Sequence, residues 1–398
     1  MAKILMGWES GNGFGHVARM RPIARELTER GHQVVMSLRD VVETAPMLKD
    51  EPYPIFQGPY WSRPAPNSSR GRPFSAASYS DILAVSGFAN ADDLAAMVRA
   101  WDGIFEIVRP DIVLSEYAPI LVLAARGRFP TILFGNGFVT PPADLPVYPR
   151  LQTNVEPVMP QEQVLAVVRE VQNRRGAPVP ETLPSIFACE RRFPCSFPEL
   201  DPYRKVRREA LLPPLSNRLS PLPPPASPRF FAYLAADAPG ITTIFSALAK
   251  SGVPGGLFLR SPSRRLKDAL GKTTITLYEE PPPLPEVLRD ASFVIHHGGA
   301  GTTEACLTAG RTQILFPRHL EQSMTAATLR GQGIALVIPR NASEDTIAGM
   351  VKQAATDVAA FARAQRVAHT IAARDPSPGI APIIAACEEL LAAQRAAG

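Results

Sequence analysis

The sequence predicts an α/β protein built from two doubly wound domains, each a parallel sheet covered by helices. Apolar strands alternate with amphipathic helices in both halves of the chain. A proline-rich segment separates the two halves, and 398 residues exceed the length of an ordinary single domain. Each half also places a glycine-rich turn between a strand and a helix. We therefore expect two Rossmann-like domains.

The N-terminal half opens with a strand–helix–strand unit. The strand "AKILMG" runs into the glycine loop "WESGNGFGH", and the amphipathic stretch "ARMRPIARELTERG" then predicts a helix that ends at Gly31. The second strand is "HQVVMSL", and further strands follow at "PDIVLSE" and "PTILFGN". Consecutive units of this kind give a parallel sheet.

The stretch over residues 52–90 interrupts this pattern. It is rich in proline, serine and glycine. A long excursion of this kind is typically a functional or mobile loop. Its aromatic side chains include Tyr60, Trp61, Phe74, Tyr79 and Phe88.

Proline marks the domain boundary. The segment "LLPPLSNRLSPLPPPASP" can hold neither a helix nor a central strand, because proline lacks the N–H and restricts the preceding residue. We predict an N-terminal domain over residues 1–212, a linker over 213–228 and a C-terminal domain over 229–376. A final helix over 377–398 is expected to pack back on the N-terminal domain.

Composition narrows the function classes. Hydrophobic residues make up 45% and charged residues 20%, and no apolar run approaches the roughly 20 residues of a bilayer span. No secretory signal is evident, so we expect a cytoplasmic protein without an integral membrane segment. The net charge of +5 comes with only 7% aromatic residues, which argues against a nucleic-acid partner. The four cysteines have no metal-ligand spacing and are expected to be buried thiols.

The stretch "FVIHHGGAGTTEACLTAG" carries the strongest chemical signal in the C-terminal half. An apolar strand ends at two histidines, and a glycine turn leads into a helix. Helix N-termini bind anions through free N–H groups and the helix dipole, so a diphosphate is the natural ligand. The residues that we expect to bind it are His297, Gly298, Gly299, Gly301, Thr302 and Thr303. The alternative is a structural turn with Thr302 as the helix N-cap.

The stretch "FPRHLEQ" places Glu321 and Gln322 just past the following strand. The carboxyl edge of a doubly wound sheet is where such folds bind ligands. A carboxylate beside an amide suits sugar hydroxyls. An exposed pair at a helix start is the structural alternative.

Residues 278–333 resemble the nucleotide-sugar signature of family 1 glycosyltransferases with the GT-B fold, in particular the bacterial enzymes that glycosylate macrolides and glycopeptide aglycones. In that family a histidine before the glycine turn contacts the donor diphosphate. An acidic residue followed by Gln lies 24 residues later and holds the hexose, and here 297 + 24 = 321. The stretches "GHVARMRPIARELTERGHQV" and "FPELDPY" are also similar to the family.

The glycine loop near the N-terminus allows two interpretations. Gly11, Gly13 and Gly15 suggest a dinucleotide loop, with Asp40 as the ribose-binding acid, but the third glycine follows the first by four residues rather than five. The family resemblance implies instead that His16 is a general base, oriented by an acid at the end of a later strand. Glu116 occupies that place, although relatives usually have Asp. The structural alternative is that His16 only bonds the backbone at the helix start.

Two departures from the family leave the donor base open. Many relatives carry a ribose-binding Glu eight positions after the diphosphate histidine, where this chain has Ala305, with Glu304 one residue earlier. A deoxyribose nucleotide is therefore as consistent with the sequence as UDP. The tryptophan that stacks on uracil in plant relatives is missing, and Tyr278 is the candidate substitute.

The sequence thus predicts an inverting, metal-independent hexosyltransferase that uses a UDP or TDP sugar as co-substrate, with no other cofactor. The resemblance implies that the donor binds the C-terminal domain and a small, apolar hydroxyl compound binds the N-terminal domain across a cleft. We expect a monomer or a homodimer. The alternatives are a catalytically silent nucleotide-sugar-binding partner protein and a nucleotide-sugar epimerase of the same fold.

Overall fold

The computed structural model describes residues 1–63, 74–215, 219–260, 275–374 and 379–397. Its contacts divide the chain into two compact units. The N-terminal domain comprises Met1–Leu215 with Ser377–Gly398, and the C-terminal domain comprises Ser216–Pro376. Each domain is an α/β unit with one parallel sheet.

Six parallel strands form the sheet described in the N-terminal domain. They are β1 (Lys3–Trp8), β2 (Gln33–Leu38), β3 (Ile55–Gln57), β4 (Ile112–Glu116), β5 (Thr131–Gly135) and β6 (Arg191–Pro194). The strand order is β3-β2-β1-β4-β5-β6, which is doubly wound as predicted. Every residue of β4 and β5 is buried because helices cover both faces of the sheet.

The helices of this domain follow the predicted alternation. They are α1 (Gly15–Glu29), α2 (Val41–Leu48), α3 (Tyr79–Leu83), α4 (Ala91–Val108), α5 (Pro119–Ala125), α6 (Gln161–Arg174) and, at the C-terminus, α13 (Ala381–Ala397). The C-terminal helix contacts α1 and β4.

The excursion over residues 52–90 is partly folded into the domain. It contains β3, α3 and a π-helical turn (Ala84–Phe88), while residues 64–73 lie outside the described part of the chain. Tyr79 and Phe88 have no exposed surface. The ring of Tyr79 packs on Phe138 and Phe187 at centroid distances of 5.9 and 5.7 Å. These two predicted loop aromatics therefore belong to the core.

The sheet described in the C-terminal domain repeats the same topology. Its strands are β7 (Phe230–Ala235), β8 (Gly255–Arg260), β9 (Thr276–Tyr278), β10 (Phe293–His296), β11 (Thr312–Leu315) and β12 (Ala335–Val337). The strand order is β12-β11-β10-β7-β8-β9. As in the N-terminal sheet, the order reverses between the first and fourth strands of the domain, β7 and β10. Its helices are α7 (Ile241–Ser251), α8 (Leu284–Asp290), α9 (Ala300–Ala309), α10 (Leu320–Gly331), α11 (Glu344–Thr356) and α12 (Val358–Ala372).

Residues 219–223 of the predicted linker are hydrogen-bonded to the C-terminal domain. The Leu219 N–H donates to Thr308 Oγ1 at 3.2 Å, and the Leu222 N–H donates to the Ala309 carbonyl at 3.2 Å. This part of the proline-rich segment is therefore fixed on one domain.

Arg311 is the buried cation that strengthens this attachment. Its guanidinium donates to the carbonyls of Leu222 and Pro223 at 3.3 and 2.9 Å, and to the Leu288 carbonyl of α8 at 2.9 Å. Burial lowers the pKa of Arg311 to about 10, so the side chain remains charged near neutral pH. A charged donor thus stabilises three backbone carbonyls, of which that of Leu222 also accepts a hydrogen bond from Gln365 Nε2 at 3.2 Å.

The sequence composition gave expectations for membrane-spanning segments and for the cysteines. Across the described residues, every helix is too short or too polar to cross a membrane. Cys195, Cys306 and Cys387 are buried thiols as expected, whereas Cys189 is only half-buried.

We predict that Arg311→Met destabilises the C-terminal domain by about 2–4 kcal/mol, because the buried Leu288 carbonyl and the part-buried carbonyls of Leu222 and Pro223 lose a charged donor. Denaturant-dependent labelling of Cys306 measures this change, since Cys306 lies in the core of the same domain. Tryptophan fluorescence is unsuitable because Trp8, Trp61 and Trp101 all belong to the N-terminal domain.

Arg366→Met on the exposed face of α12 is the matched control and should leave the labelling midpoint of Cys306 in place. Equal midpoints for the Arg311 and Arg366 variants would contradict the role given to Arg311.

Candidate functional site

The reversal of strand order brings the predicted site residues to the carboxyl edge of each sheet. In the N-terminal domain the order reverses between β1 and β4. His16 follows β1, and Glu116 is the last residue of β4. In the C-terminal domain the reversal lies between β7 and β10, and His297 directly follows β10. Doubly wound folds bind ligands at such points, where neighbouring loops diverge.

His16 and Glu116 form a buried hydrogen-bonded pair. His16 Nδ1 lies 2.6 Å from Glu116 Oε2, and the Glu116 side chain has no exposed surface. Burial alone would raise the pKa of Glu116, but the charges and hydrogen bonds of Arg19 and His16 outweigh it and lower that pKa to about 2. The ionised carboxylate can only accept a hydrogen bond, so Nδ1 carries the proton. His16 Nε2 is consequently the nitrogen with a lone pair.

The glycine loop packs directly on that nitrogen. Gly11 adopts a φ of +79°, and a Cβ atom at this position would lie 2.6 Å from His16 Nε2 and 3.0 Å from Tyr117 Cε1. The imidazole also stacks on Trp8, with ring centroids 5.0 Å apart and an interplanar angle of 17°. Glycine at position 11 therefore leaves the space that the histidine ring fills.

Asp40 has a local structural role. Its Oδ1 accepts the Glu43 N–H at 2.8 Å and so caps the N-terminus of α2. The neighbouring Arg39 hydrogen-bonds to the Gly11 carbonyl and to Asn12 Oδ1. These contacts favour the histidine-presenting interpretation of the loop over a dinucleotide loop.

Arg19 is a site residue that the sequence interpretation missed. It lies one helical turn after His16 and donates from Nε and Nη2 to Glu116 Oε1 at 2.9 and 2.5 Å. Its Nη2 is 3.3 Å from His16 Nδ1. The i, i+3 spacing of His16 and Arg19 on α1 was the available signal, because residues three apart share one helix face.

Glu9 is a second site residue that the sequence interpretation missed, and it anchors the start of the glycine loop at the end of β1. It is buried and accepts hydrogen bonds from Trp101 Nε1 at 2.8 Å and from the N–H groups of Ile120 and Leu121 at 2.5 and 3.2 Å. Burial raises the pKa of Glu9 to about 8, while these donors act in the opposite direction. The contacts tie the end of β1 to α4 and α5.

His296 has an internal role in the C-terminal domain. It is buried, its Nε2 donates to Gln313 Oε1 at 2.9 Å, and its Nδ1 accepts the Gly298 N–H at 3.1 Å. Burial lowers the pKa of His296 to about 4. A neutral His296 thus shapes the first residue of the glycine turn.

His297 connects the ends of two strands through both ring nitrogens. Nδ1 donates to the Phe316 carbonyl at 2.9 Å, and Nε2 accepts the Ala235 N–H at 2.9 Å. Burial is the main cause that lowers the pKa of His297 to about 4. The ring is therefore neutral, and in this conformation both of its nitrogens are bonded to backbone groups.

The glycine turn between β10 and α9 leaves room above the helix N-terminus. Gly298 has a φ of +89°, and a Cβ atom there would lie 3.3 Å from the Gln322 carbonyl oxygen. A Cβ atom on Gly299 or Gly301 would meet nothing described within 4 Å. Because Gly299 is the N-cap of α9, the open space faces the unpaired N–H groups of the first turn.

The remaining predicted donor residues lie in the first turns of α9 and α10. Thr302 and Thr303 lie within the first turn of α9 and are buried rather than capping it. Glu321 and Gln322 begin α10, and Gln322 Oε1 accepts the Arg318 N–H at 2.8 Å. Arg318 in turn pairs with Asp237 through two contacts of 3.1 and 3.0 Å.

Tyr278 is the last residue of β9, and Glu304 lies within α9. The ring of Tyr278 packs edge-on against Phe231 with centroids 5.9 Å apart, and it covers Gly256, where a Cβ atom would lie 2.6 Å from Tyr278 Cε2. Ala305 belongs to the apolar core, and Glu304 is 5% exposed. Tyr278 is thus half-buried, with part of its ring packed against the apolar core.

Comparison with known proteins gives one family match and several relatives. Residues 280–390 match the family model of the erythromycin biosynthesis protein CIII-like C-terminal domain. The chain is 38% identical over 82 residues to O-mycaminosyltylonolide 6-deoxyallosyltransferase of Streptomyces fradiae, a stretch that covers 20% of this chain and 19% of that protein. The chain therefore spans about a fifth of the length of the curated relatives it matches first.

Solved structures extend the likeness to the whole fold. Spinosyn rhamnosyltransferase SpnG, complexed with spinosyn aglycone, aligns with a TM-score of 0.66 at 16% identity over 96% of this chain and 100% of its own. The Streptomyces sp. SF2575 glycosyltransferase SsfS6, complexed with thymidine diphosphate, aligns with a TM-score of 0.60 at 19% identity over 96% of this chain and 99% of its own. The GT-B fold and the resemblance inferred from the sequence are confirmed.

We predict that Gly11→Ala lowers the free energy of unfolding of the N-terminal domain by about 1–3 kcal/mol, because alanine is strained at this φ and its methyl group displaces the His16 ring. Denaturant unfolding followed by tryptophan fluorescence measures the change, since Trp8 stacks on His16.

Gly15→Ala in the same loop is the matched control. A Cβ atom there would make one ordinary contact, 3.8 Å from Arg19 Nη1, so we expect a change within about 0.5 kcal/mol. Similar losses in the two variants would argue against close packing of the loop on His16.

Proposed function

We propose that this chain, which has the GT-B fold and resembles the family 1 glycosyltransferases, transfers a hexose from a nucleotide-diphosphate sugar to a hydroxyl group of a small apolar compound. The transfer inverts the anomeric carbon and needs no metal ion. The observation that carries the proposal is the buried His16–Glu116 pair, which leaves a lone pair on Nε2 at the sheet edge.

His16 acts as the general base of this reaction. Nε2 takes the proton of the acceptor hydroxyl as its oxygen forms a bond to the anomeric carbon. The bond between that carbon and the diphosphate oxygen breaks on the opposite face, so the nucleoside diphosphate leaves with the bonding electrons. Glu116 stabilises the imidazolium ion that forms, since Nδ1 already donates to its ionised carboxylate.

The donor binds the C-terminal domain at the turn between β10 and α9. The space above Gly299 and Gly301 suits a diphosphate, because free N–H groups and the helix dipole face it. Gln322 lies beside the same turn, Glu321 precedes it in the first turn of α10, and both would bind the hexose hydroxyls. His297 holds the turn in shape through Ala235 and Phe316.

We propose thymidine diphosphate as the nucleotide of the donor. The SsfS6 structure was solved with this nucleotide. Ala305 occupies the position where many relatives bind the ribose hydroxyls, and a 2′-deoxyribose lacks one of them. The acceptor class is proposed from the macrolide-modifying relative and from the aglycone complex of SpnG.

We predict that His16→Ala lowers turnover by about 10²–10⁴-fold without weakening nucleotide binding, because it removes a base on the N-terminal domain only. Turnover is measured as release of TDP with a panel of TDP sugars and macrolactone acceptors, in the presence and absence of EDTA. His369→Ala, an exposed histidine of α12, is the control.

Wild-type turnover in His16→Ala would overturn the general-base assignment. A dinucleotide role of the loop gives the opposite pattern, in which Gly13→Val abolishes nucleotide binding and His16→Ala changes little. Activity that EDTA removes and magnesium restores would contradict the metal-independent mechanism.

We predict that His297→Ala weakens TDP binding at least several-fold, because the turn loses its connection to β7 and β11. Calorimetric titration of the free nucleotide measures the affinity, again with His369→Ala as control. Unchanged affinity in a folded His297→Ala variant would remove His297 from the donor site.

The same titration distinguishes a direct contact from a shaping role. A phosphate oxygen can bond to Nε2 only if this nitrogen leaves the Ala235 N–H and carries a proton. That proton is an additional one as long as Nδ1–H still donates to the Phe316 carbonyl. Titrations at pH 7 in buffers of different ionisation enthalpy report such an uptake. We expect none for a purely shaping histidine, and an uptake that disappears in His297→Ala would instead assign a direct contact.

A further inference from the structure

Arg19 and His16 divide one carboxylate between them. Arg19 donates from Nε and Nη2 to Glu116 Oε1, and His16 Nδ1 bonds to Oε2, while Arg19 Nη2 also lies 3.3 Å from His16 Nδ1. The side chains of Arg19 and His16 are 10% and 11% exposed, and that of Glu116 is fully buried. Each oxygen of the carboxylate therefore has its own donor in a site largely closed to water.

The charges of this cluster add up to zero only when His16 is neutral. Arg19 contributes one positive charge and Glu116 one negative charge. Protonation of His16 gives the buried cluster a net positive charge, which is costly in a poorly solvated site. Without Arg19, a buried carboxylate beside His16 would favour the imidazolium form instead.

The described residues place further groups around the imidazole. Trp8 covers one ring face, Gly11 borders Nε2, and the Tyr117 ring lies 5.7 Å away between centroids. Among the hydrogen bonds of the described residues, Glu116 is the acidic partner of His16. Arg39, which contacts the Gly11 carbonyl, is the cation on the other side of the loop.

We propose that Arg19 is a positioning residue that neutralises Glu116, so that the carboxylate orients His16 in its neutral Nδ1–H form without holding it as an imidazolium ion. Its value for catalysis rests on the proposed sugar transfer, in which His16 must start each cycle unprotonated. The protonation behaviour itself does not depend on any substrate.

A purely structural role gives a different expectation. In that case Arg19 would only satisfy a buried carboxylate, and its removal would destabilise the domain without changing the pH at which His16 titrates. The experiment must therefore read the protonation of His16 as well as stability.

Proton–carbon NMR of protein labelled at histidine Cε1 provides this measurement. The chain has six histidines, and His16→Gln identifies the His16 signal by its loss. We expect Arg19→Met to move the titration midpoint of His16 to higher pH by about 1–3 pH units, because the carboxylate is no longer neutralised. Arg19→Lys keeps the charge and should stay near the wild-type midpoint.

Arg25→Met is the matched control on the same helix. Arg25 pairs with Glu51 and is half-exposed, so its removal should leave the His16 midpoint in place. An unchanged midpoint in Arg19→Met, or equal shifts in Arg19→Met and Arg19→Lys, would overturn the proposal.

A second pair of variants covers the case in which Arg19→Met does not fold. Glu116→Gln and Glu116→Gln/Arg19→Met both remove the buried carboxylate and differ only in the cation. We expect His16 to titrate at lower pH in Glu116→Gln than in the double variant, since only the former retains the Arg19 charge. Equal midpoints would overturn the proposal.

The pH dependence of turnover connects the result to function. In Arg19→Met the acid limb of the pH–rate profile should move to higher pH together with the NMR midpoint of His16. A wild-type protein that transfers no sugar but shows the expected midpoints would refute the proposed function and leave the role of Arg19 intact. An active enzyme in which the His16 midpoint does not shift would refute the role of Arg19 and leave the proposed function intact.

Discussion

The reversal of strand order at the centre of each sheet is the constraint on which both candidate sites depend. Chain connections leave β1 and β4 toward opposite sides, and the same holds for β7 and β10. The loops at these carboxyl ends diverge and leave an opening that side chains can enter. A histidine follows one of the two strands in each domain. One topology, used twice, thus supports two different chemical tasks.

His16 and His297 differ in the group that accepts the hydrogen bond from Nδ1–H. His16 donates to an ionised carboxylate, whereas His297 donates to a backbone carbonyl. A carboxylate can stabilise a transient positive charge on the ring, and a carbonyl does so much less. The second nitrogen differs as well, since Nε2 of His297 is occupied by the Ala235 N–H. His16 is therefore suited to proton transfer and His297 to fixing a loop.

The sequence predicted two doubly wound sheets, because alternating strands and helices are local features that favour this topology. The meeting of His16 with Glu116 was implied by the family resemblance. The sequence did not predict the contacts of His297, since these come from the backbone of two other strands. Arg19 was missed because an arginine in a helix is usually solvated. Tyr79 and Phe88 were assigned to a loop because proline and serine concealed the short helical segments that bury them.

The attachment of residues 219–223 to the C-terminal domain determines where the chain can be recombined with a relative. A chimaera that joins the domains after residue 228 would supply Arg311 with foreign linker residues in place of the carbonyls of Leu222 and Pro223. A junction before residue 219 would transfer the segment together with the arginine that binds it. The segment to exchange is thus longer than the sheet and helices of the C-terminal domain alone, and it includes the prolines that precede β7.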